Sequence, residues 1–286
     1  MTAFTGRVGV IGATSLTGEC LLPLLVEAGW DVAAFTRRTI LARQLPASQG
    51  VVWHHLTIRH SHDVEPITKW ICLAPIWVLP EYLSLFLHYG VKHIVALSST
   101  SRFTKGSSSD TAEKQLAAKL AEGEQLFIDW AEKNQVIWTI LRPTLIYGLG
   151  RDKNISVIAR FIKRFSFFPL LGEARGLRQP VHAQDAALCC RTALSAEKAS
   201  NRAYNISGGE ILTYREMVGR VFSAIGKKPR FVTFPLWLFR LAVFFLRLLP
   251  PFKHWSAAMA ERMNSDIVFD HQDASRDLDF SPRPFS

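Results

Sequence analysis

Near the start of the chain, Arg7-Val8-Gly9-Val10-Ile11-Gly12-Ala13-Thr14-Ser15-Leu16-Thr17-Gly18 has the order that holding a phosphate requires. An apolar run leads to Gly12, small residues continue to Gly18, and Glu19 to Ala28 reads as a helix. Strand, tight turn and helix N-terminus in succession aim free backbone N–H groups and the positive end of a helix dipole at one point. Glycine belongs where the turn needs positive φ, or where a side chain would block a ligand or a packed strand. The spacing departs from G-x-G-x-x-G: Gly12 and Gly18 are six apart, and Ser15 stands midway, in the place of a middle glycine. Glycines recur in turns of every kind, so the weight rests on the loop's place at the head of a βα unit. The chemistry it suits is cradling the pyrophosphate of a dinucleotide.

Other reactive residue types give less. His54, His55, His60 and His62 cluster in sequence, but neighbours on a strand point to opposite faces. No acidic or cysteine partner completes a set, so no metal site is expected. Cys20, Cys72, Cys189 and Cys190 show no C-x-x-C spacing, and the adjacent pair sits on a helix, a poor arrangement for a disulfide. A reducing compartment is the expectation. With the first strand beginning by Arg7 there is no room for a signal peptide, and a cytoplasmic location is expected.

The elements that must position the loop alternate. Val8 to Gly29 forms a first βα unit, and strands are expected at Asp31–Thr36, Val51–Leu56, Trp70–Ala74, Val91–Ser98 and Val136–Leu141. Pro80 to Tyr89 reads as a helix. A longer one starts at Asp110, with Glu113 completing a capping-box pattern and Leu116, Leu120, Phe127 and Ile128 as its apolar face. This rhythm specifies an α/β fold, a Rossmann-type doubly wound parallel sheet covered on both faces. After Gly150 the rhythm breaks: Ile155 to Phe168 reads as a basic amphipathic helix, followed by short irregular pieces. Residues 1–150 are therefore expected to form the dinucleotide-binding domain, and residues 151–286 a smaller lobe, with segments near 180–207 returning to the sheet. The net charge of +10 is scattered with no basic–aromatic run, so nucleic acid is not expected as a partner.

Several segments occur in an order shared by one family. They are Gly9 to Gly18, Leu97-Ser98-Ser99, Leu141-Arg142-Pro143-Thr144-Leu145-Ile146-Tyr147-Gly148, Pro180-Val181-His182-Ala183-Gln184-Asp185, and Tyr204-Asn205-Ile206-Ser207-Gly208-Gly209. With Phe269-Asp270 and Phe280-Ser281-Pro282 near the end, the chain resembles the extended short-chain dehydrogenase/reductase family, in its nucleotide-sugar epimerase, dehydratase and reductase branch. The resemblance implies that Gly12, Thr14, Ser15, Leu16, Thr17, Gly18, Ala74, Lys119 and Pro143 touch the cofactor. It also implies that the ribose is read after strand two. There the chain has Thr36-Arg37-Arg38 and no carboxylate, and guanidinium groups suit a 2′-phosphate, so NADP(H) is expected over NAD(H).

The same resemblance implies a serine and a Tyr-x-x-x-Lys pair as proton carriers. Ser99 and Lys119 fit the serine and the lysine, but Gln115 occupies the tyrosine's place, and none of the chain's tyrosines precedes a lysine at that spacing. Two readings follow. One is an NADP(H)-dependent oxidoreductase or epimerase acting on a nucleotide-sugar-like substrate, with Asn154, Arg178, His182 and Arg276 as substrate contacts. The other is a catalytically silent NADP(H)-binding module, like the short-chain-dehydrogenase-like accessory subunit of respiratory complex I. Relatives often pair through two long helices, so a homodimer is a further expectation. Prolines bracket the apolar segment 235–249, which carries Arg240 and Arg247 and is too short for the roughly 20 residues a bilayer span needs. It suits peripheral contact with the inner face of a membrane, a buried helix of the lobe, or a homodimer surface.

The arginine pair generates the first prediction. In a fluorescence titration the protein should bind NADPH at least tenfold more tightly than NADH, and Arg37→Glu should reverse the order.

Overall fold

Strands that are apolar on both faces need cover on both, and the chain supplies it from alternate connections. A computed structural model describes residues 6–37, 50–56, 65–106, 108–237 and 257–286. β1 (Gly6–Ile11) enters α1 (Leu16–Glu27), and β2 (Trp30–Thr36) and β3 (Val51–His55) follow. β4 (Lys69–Cys72) leads through a 3-10 turn, Ile76–Tyr82, into α2 (Leu83–His88). Then come β5 (His93–Leu97), the single turn α3 (Ser101–Thr104), the long α4 (Thr111–Lys133) and β6 (Ile137–Pro143). The remainder runs β7 (Ile146–Tyr147), α5 (Ile155–Phe165), β8 (Phe168–Leu171), β9 (Leu177–Arg178) and β10 (Val181–His182). It continues with α6 (Ala183–Ala193), β11 (Arg202–Ile206), β12 (Leu212–Thr213), α7 (Tyr214–Ala224) and β13 (Phe231–Phe234), before helices at Ala257–Asn264 and Gln272–Leu278.

The central sheet has seven strands in the order β11-β6-β5-β4-β1-β2-β3, and every pairing is parallel. This is the Rossmann-type doubly wound arrangement. Its order reverses between β1 and β4, where the connections depart to opposite faces and leave a crevice beyond the strand ends. Side-chain alternation divides the core accordingly. Val10, Val32, Ile71 and Val95 pack with Leu21 and Leu25 of α1 and Ala186 of α6. On the other face Phe35, Trp70, Ile94 and Ile140 pack with Leu120 and Phe127 of α4. The cysteines divide the same way, with Cys72 in the second layer and Cys20, Cys189 and Cys190 in the first. Burial pushes the Cys72 and Cys190 thiols up to about 12. The C-terminal lobe has its own cluster, in which Ile158 and Ile162 of α5 meet Met217 and Phe222 of α7.

Some local expectations change. Pro80 has no N–H to donate, and the segment before Leu83 is a 3-10 turn, so the α-helix there is shorter than the pattern implies. The basic helix stops at Phe165 because Ser166 turns left-handed (φ 61°) and Phe168 begins β8. Val181 does not rejoin the central sheet: β10 pairs with β7 in a separate ribbon, and of the 180–207 region β11 alone extends the main sheet, beside β6. Nor is there a capping box at α4. Asp110 accepts from the Ala112 N–H at 2.8 Å, while its own N–H donates to Ser108 Oγ at 3.1 Å. Glu113 instead accepts from Ser108 Oγ and pairs with Lys105 and Arg262.

One polar group lies on the apolar stripe of α4. Glu124, fully buried, accepts from Arg142 Nε at 3.0 Å and Nη2 at 2.6 Å, from Ser98 Oγ at 2.5 Å, and from Arg102. A single carboxylate thus ties α4 to β6 and to the segment after β5. The neighbouring Gly123 lets α4 approach the 3-10 turn after β4, since a Cβ there would lie 2.8 Å from the Trp77 Cα.

Two predictions follow from this packing. Glu124→Leu should cost about 3 kcal/mol in urea denaturation by leaving Arg142 uncompensated, and Glu124→Leu with Arg142→Leu should recover part of that loss. Separately, burial holds His93 neutral, lowering its pKa from 6.5 to about 4, with Lys69 adding to the effect. The unfolded chain takes up this proton below pH 6.5 and the folded chain only near pH 4. Stability from this residue is therefore complete above pH 6.5 and lost as pH falls towards 4. His93→Gln should flatten that limb of the stability–pH curve.

Candidate functional site

The glycine loop closes on itself before the helix begins. Ser15 N–H donates to the Gly12 carbonyl at 2.9 Å, and Ser15 Oγ accepts from Gly18 N–H at 3.1 Å, capping α1. The residue that replaces a middle glycine is therefore the helix N-cap. Gly12 has φ +80°, and a Cβ there would lie 2.8 Å from the Ala74 nitrogen. A Cβ on Gly18 would lie 2.3 Å from the Ala13 carbonyl oxygen. Thr14 and Leu16 are partly exposed around the turn, while Thr17 is buried. At the start of the helix the Leu16 and Thr17 N–H groups have no intrahelical acceptor and face the crevice end of the dipole. The donor set, the two glycine approaches and the switch-point position fit a dinucleotide pyrophosphate.

Arg37 is exposed at the end of β2, and its charge reaches Tyr82 on the far side of the crevice. Arg38 lies outside the described residues, as do His60, His62 and most of the 235–249 segment. Among the described histidines, His54 stacks on Phe35 at 5.0 Å while His55 is exposed, and no group of residues able to hold a metal occurs among the described residues.

Beyond the ends of β4 and β5 lies a cavity of about 270 Å³. Ala74 forms one wall, so the cavity is continuous with the backbone that Gly12 abuts. Ser98, Ser99 and Ser101 form another wall, and Leu116 and Leu120 of α4 form a third. Ser99 Oγ accepts from the Ser101 N–H at 3.1 Å, leaving its own hydrogen to donate. Pro143 holds this wall from behind, its carbonyl accepting from the Thr100 N–H at 3.0 Å and Thr100 Oγ1 at 3.1 Å.

The positions expected to carry protons lie one residue ahead of the pair on α4 that lines this cavity. Gln115 and Lys119 are both exposed on α4 and neither lines the cavity; the pair one turn apart that does is Leu116 and Leu120. The helix thus turns apolar side chains, with no exchangeable proton, towards the space beside Ser99.

The four expected substrate contacts are not gathered there, and none of them lines the cavity. Arg178 is buried and donates to the carbonyls of Leu177 and Ser265 at 2.7 Å, and burial pulls its pKa down to about 10. It is a strut between β9 and the segment before Ile267. Arg276 spends its guanidinium on Asp273 and Asp277 of its own helix. His182 caps α6, its Nδ1 accepting from Gln184 N–H at 3.2 Å, and its ring packs edge-on against Tyr147. Its pKa is lowered, by burial first and by Arg283 second. Asn154 is exposed at the start of α5, near Gly148 and Gly150 in sequence. In the same loop Arg151 pairs with Glu19 in the first turn of α1, a link between lobe and nucleotide loop that no motif announces.

Comparison with known proteins accords with this geometry. Residues 81–207 match the NAD dependent epimerase/dehydratase family. The chain is 27% identical over 149 residues to the mitochondrial NADH dehydrogenase (ubiquinone) 1 alpha subcomplex subunit 9 of Arabidopsis thaliana, covering 52% of this chain and 34% of that protein. It is 24% identical over 121 residues to the UDP-glucose 4-epimerase of Vibrio cholerae, covering 42% and 37% respectively. The match therefore spans well under half the length of either relative. The structure of the Bacillus cereus UDP-glucuronic acid 4-epimerase in complex with UDP-glucuronic acid and NAD superposes with a TM-score of 0.71 at 15% identity, over 96% of this chain and 94% of that one. That likeness is one of fold. The chain is therefore matched in sequence to the NAD dependent epimerase/dehydratase family over residues 81–207, and over almost its whole length it shares a fold with a UDP-glucuronic acid 4-epimerase.

Proposed function

We propose that this protein binds a nicotinamide dinucleotide, NADP(H) in preference to NAD(H), and carries out redox or epimerisation chemistry on a nucleotide-linked sugar without a tyrosine proton carrier. The observation that carries this reading is the join between the Gly12–Gly18 loop and the Ser99 cavity through Ala74. The dinucleotide would supply the hydride chemistry. Leu16 and Thr17 would bind its phosphates, Arg37 and Arg38 a 2′-phosphate, and Ser99 would donate a hydrogen bond to a sugar oxygen in the cavity. Leu116 and Leu120 exclude water from that wall and cannot move a proton. The proton must then pass through Ser99, the substrate or a bound water.

The same leucine pair favours a second reading, a dinucleotide-binding module that does not turn over. A mitochondrial NADH dehydrogenase subunit among the relatives is compatible with such a role. One assay separates the two. NADPH absorbance is followed with the full chain and a panel of nucleotide sugars and 4-keto nucleotide sugars, beside Ser99→Ala and Lys119→Ala. Sugar-dependent oxidation that falls at least tenfold in Ser99→Ala and little in Lys119→Ala supports the enzyme. Saturable NADPH binding with no oxidation across the panel supports the silent module.

A further inference from the structure

We propose that the outward face of α5 docks the protein on an anionic phospholipid bilayer. The helix Ile155–Phe165 turns Ile158 and Ile162 into the lobe's core. Val157 and Phe165 are left exposed with Arg160 and Arg164 set between them, while Phe161 lies at the edge, half-buried against the lobe's core and edge-on to Phe168 at 5.7 Å. Val157 is 46% and Phe165 49% exposed. The aromatic surface continues past the helix end, because Phe161 packs on Phe165 at 4.7 Å and on Phe167 at 5.8 Å.

Charge decides what this face suits. α5 carries Arg160, Lys163 and Arg164 and no carboxylate, and none of the three has an ion-pair partner among the described residues. The Arg164 guanidinium lies 5.3 Å from the Phe165 ring, so cation and apolar surface are presented together. Lys227 closes the helix end, donating to the Lys163 carbonyl at 3.0 Å and to Ser166 Oγ at 2.9 Å, which adds a cation and fixes the end of the helix. Aromatic rings between unpaired arginines on a convex helix match the interface of a bilayer, where rings enter the acyl boundary and guanidinium groups stay at the phosphates.

A second element of the lobe also exposes aromatic residues. β13 pairs with β8, the strand that follows α5, and Phe231 lies opposite Phe168. From β13 the chain leads to Trp237, 68% exposed, beside Phe234 at 38%.

The test is sedimentation of the full chain with sucrose-loaded vesicles of phosphatidylcholine, with and without phosphatidylglycerol, at low and high salt. Binding is expected with phosphatidylglycerol alone and should be reversed by salt. Arg160→Glu with Arg164→Glu should lower the partition coefficient at least tenfold, and Phe165→Ser severalfold, in proteins that melt at the wild-type temperature. Failure of the wild type to sediment overturns the proposal, and so does equal sedimentation of the double variant. A wild-type dimer that Phe165→Ser dissociates, without lipid binding, would also overturn it and make this face a contact between two copies of the chain.

Discussion

Between the ends of β1 and β4 the chain approaches itself so closely that one added carbon at Gly12 would meet the backbone of Leu73 and Ala74. Much of the architecture follows from that approach. β1 and β4 are hydrogen-bonded neighbours, yet the segments leaving them go to opposite faces of the sheet. The crevice this creates is floored by the glycine loop and bounded by the short link into the 3-10 turn. The glycine loop on one side and a serine-lined cavity on the other meet across the same few backbone atoms. Any ligand long enough to fill both would lie across the place where a side chain is sterically forbidden.

The parts of this arrangement legible in the sequence are those governed by short-range periodicity. Gly12 and Gly18, the strand alternation and the long amphipathic helix all announce themselves within a few residues, because steric and hydrophobic rules act at that range. What the sequence conceals is rotation. On α4 a shift of one residue exchanges Gln115 and Lys119 for Leu116 and Leu120 at the cavity, and the family likeness alone does not fix which pair faces inward. The apolar stripe was the better guide, since its members must point at the sheet. Glu124 interrupts that stripe, and a carboxylate among Leu120 and Phe127 was the available sign of a buried ion pair; its partners, distant in sequence, were not legible. Arg178 and Arg276 show the reverse case. Each has the right charge for a phosphate, but other groups claim the guanidinium first, distant backbone carbonyls for Arg178 and carboxylates of its own helix for Arg276.

The lobe obeys looser rules than the sheet domain. Its strands come in two-stranded ribbons, and its cluster around Ile162 and Phe222 is held largely by α5 packing on α7. Its attachment is polar at defined points: Arg283 with Asp185, and Arg151 with Glu19. A domain built this way can keep a rigid sheet while the lobe varies in surface character, which is where the aromatic and basic residues of α5 are found.

The division of the cysteines between the two faces of the sheet has a consequence for their reactivity. With their thiols held neutral, Cys72 and Cys190 offer no thiolate to an oxidant or electrophile while the structure is closed. Their modification is then governed by the frequency with which each helical layer lifts away, and not by intrinsic nucleophilicity. Cys72 samples the α4 side and Cys190 the α1–α6 side. The molecule thus carries a separate clock for the breathing of each half of its core.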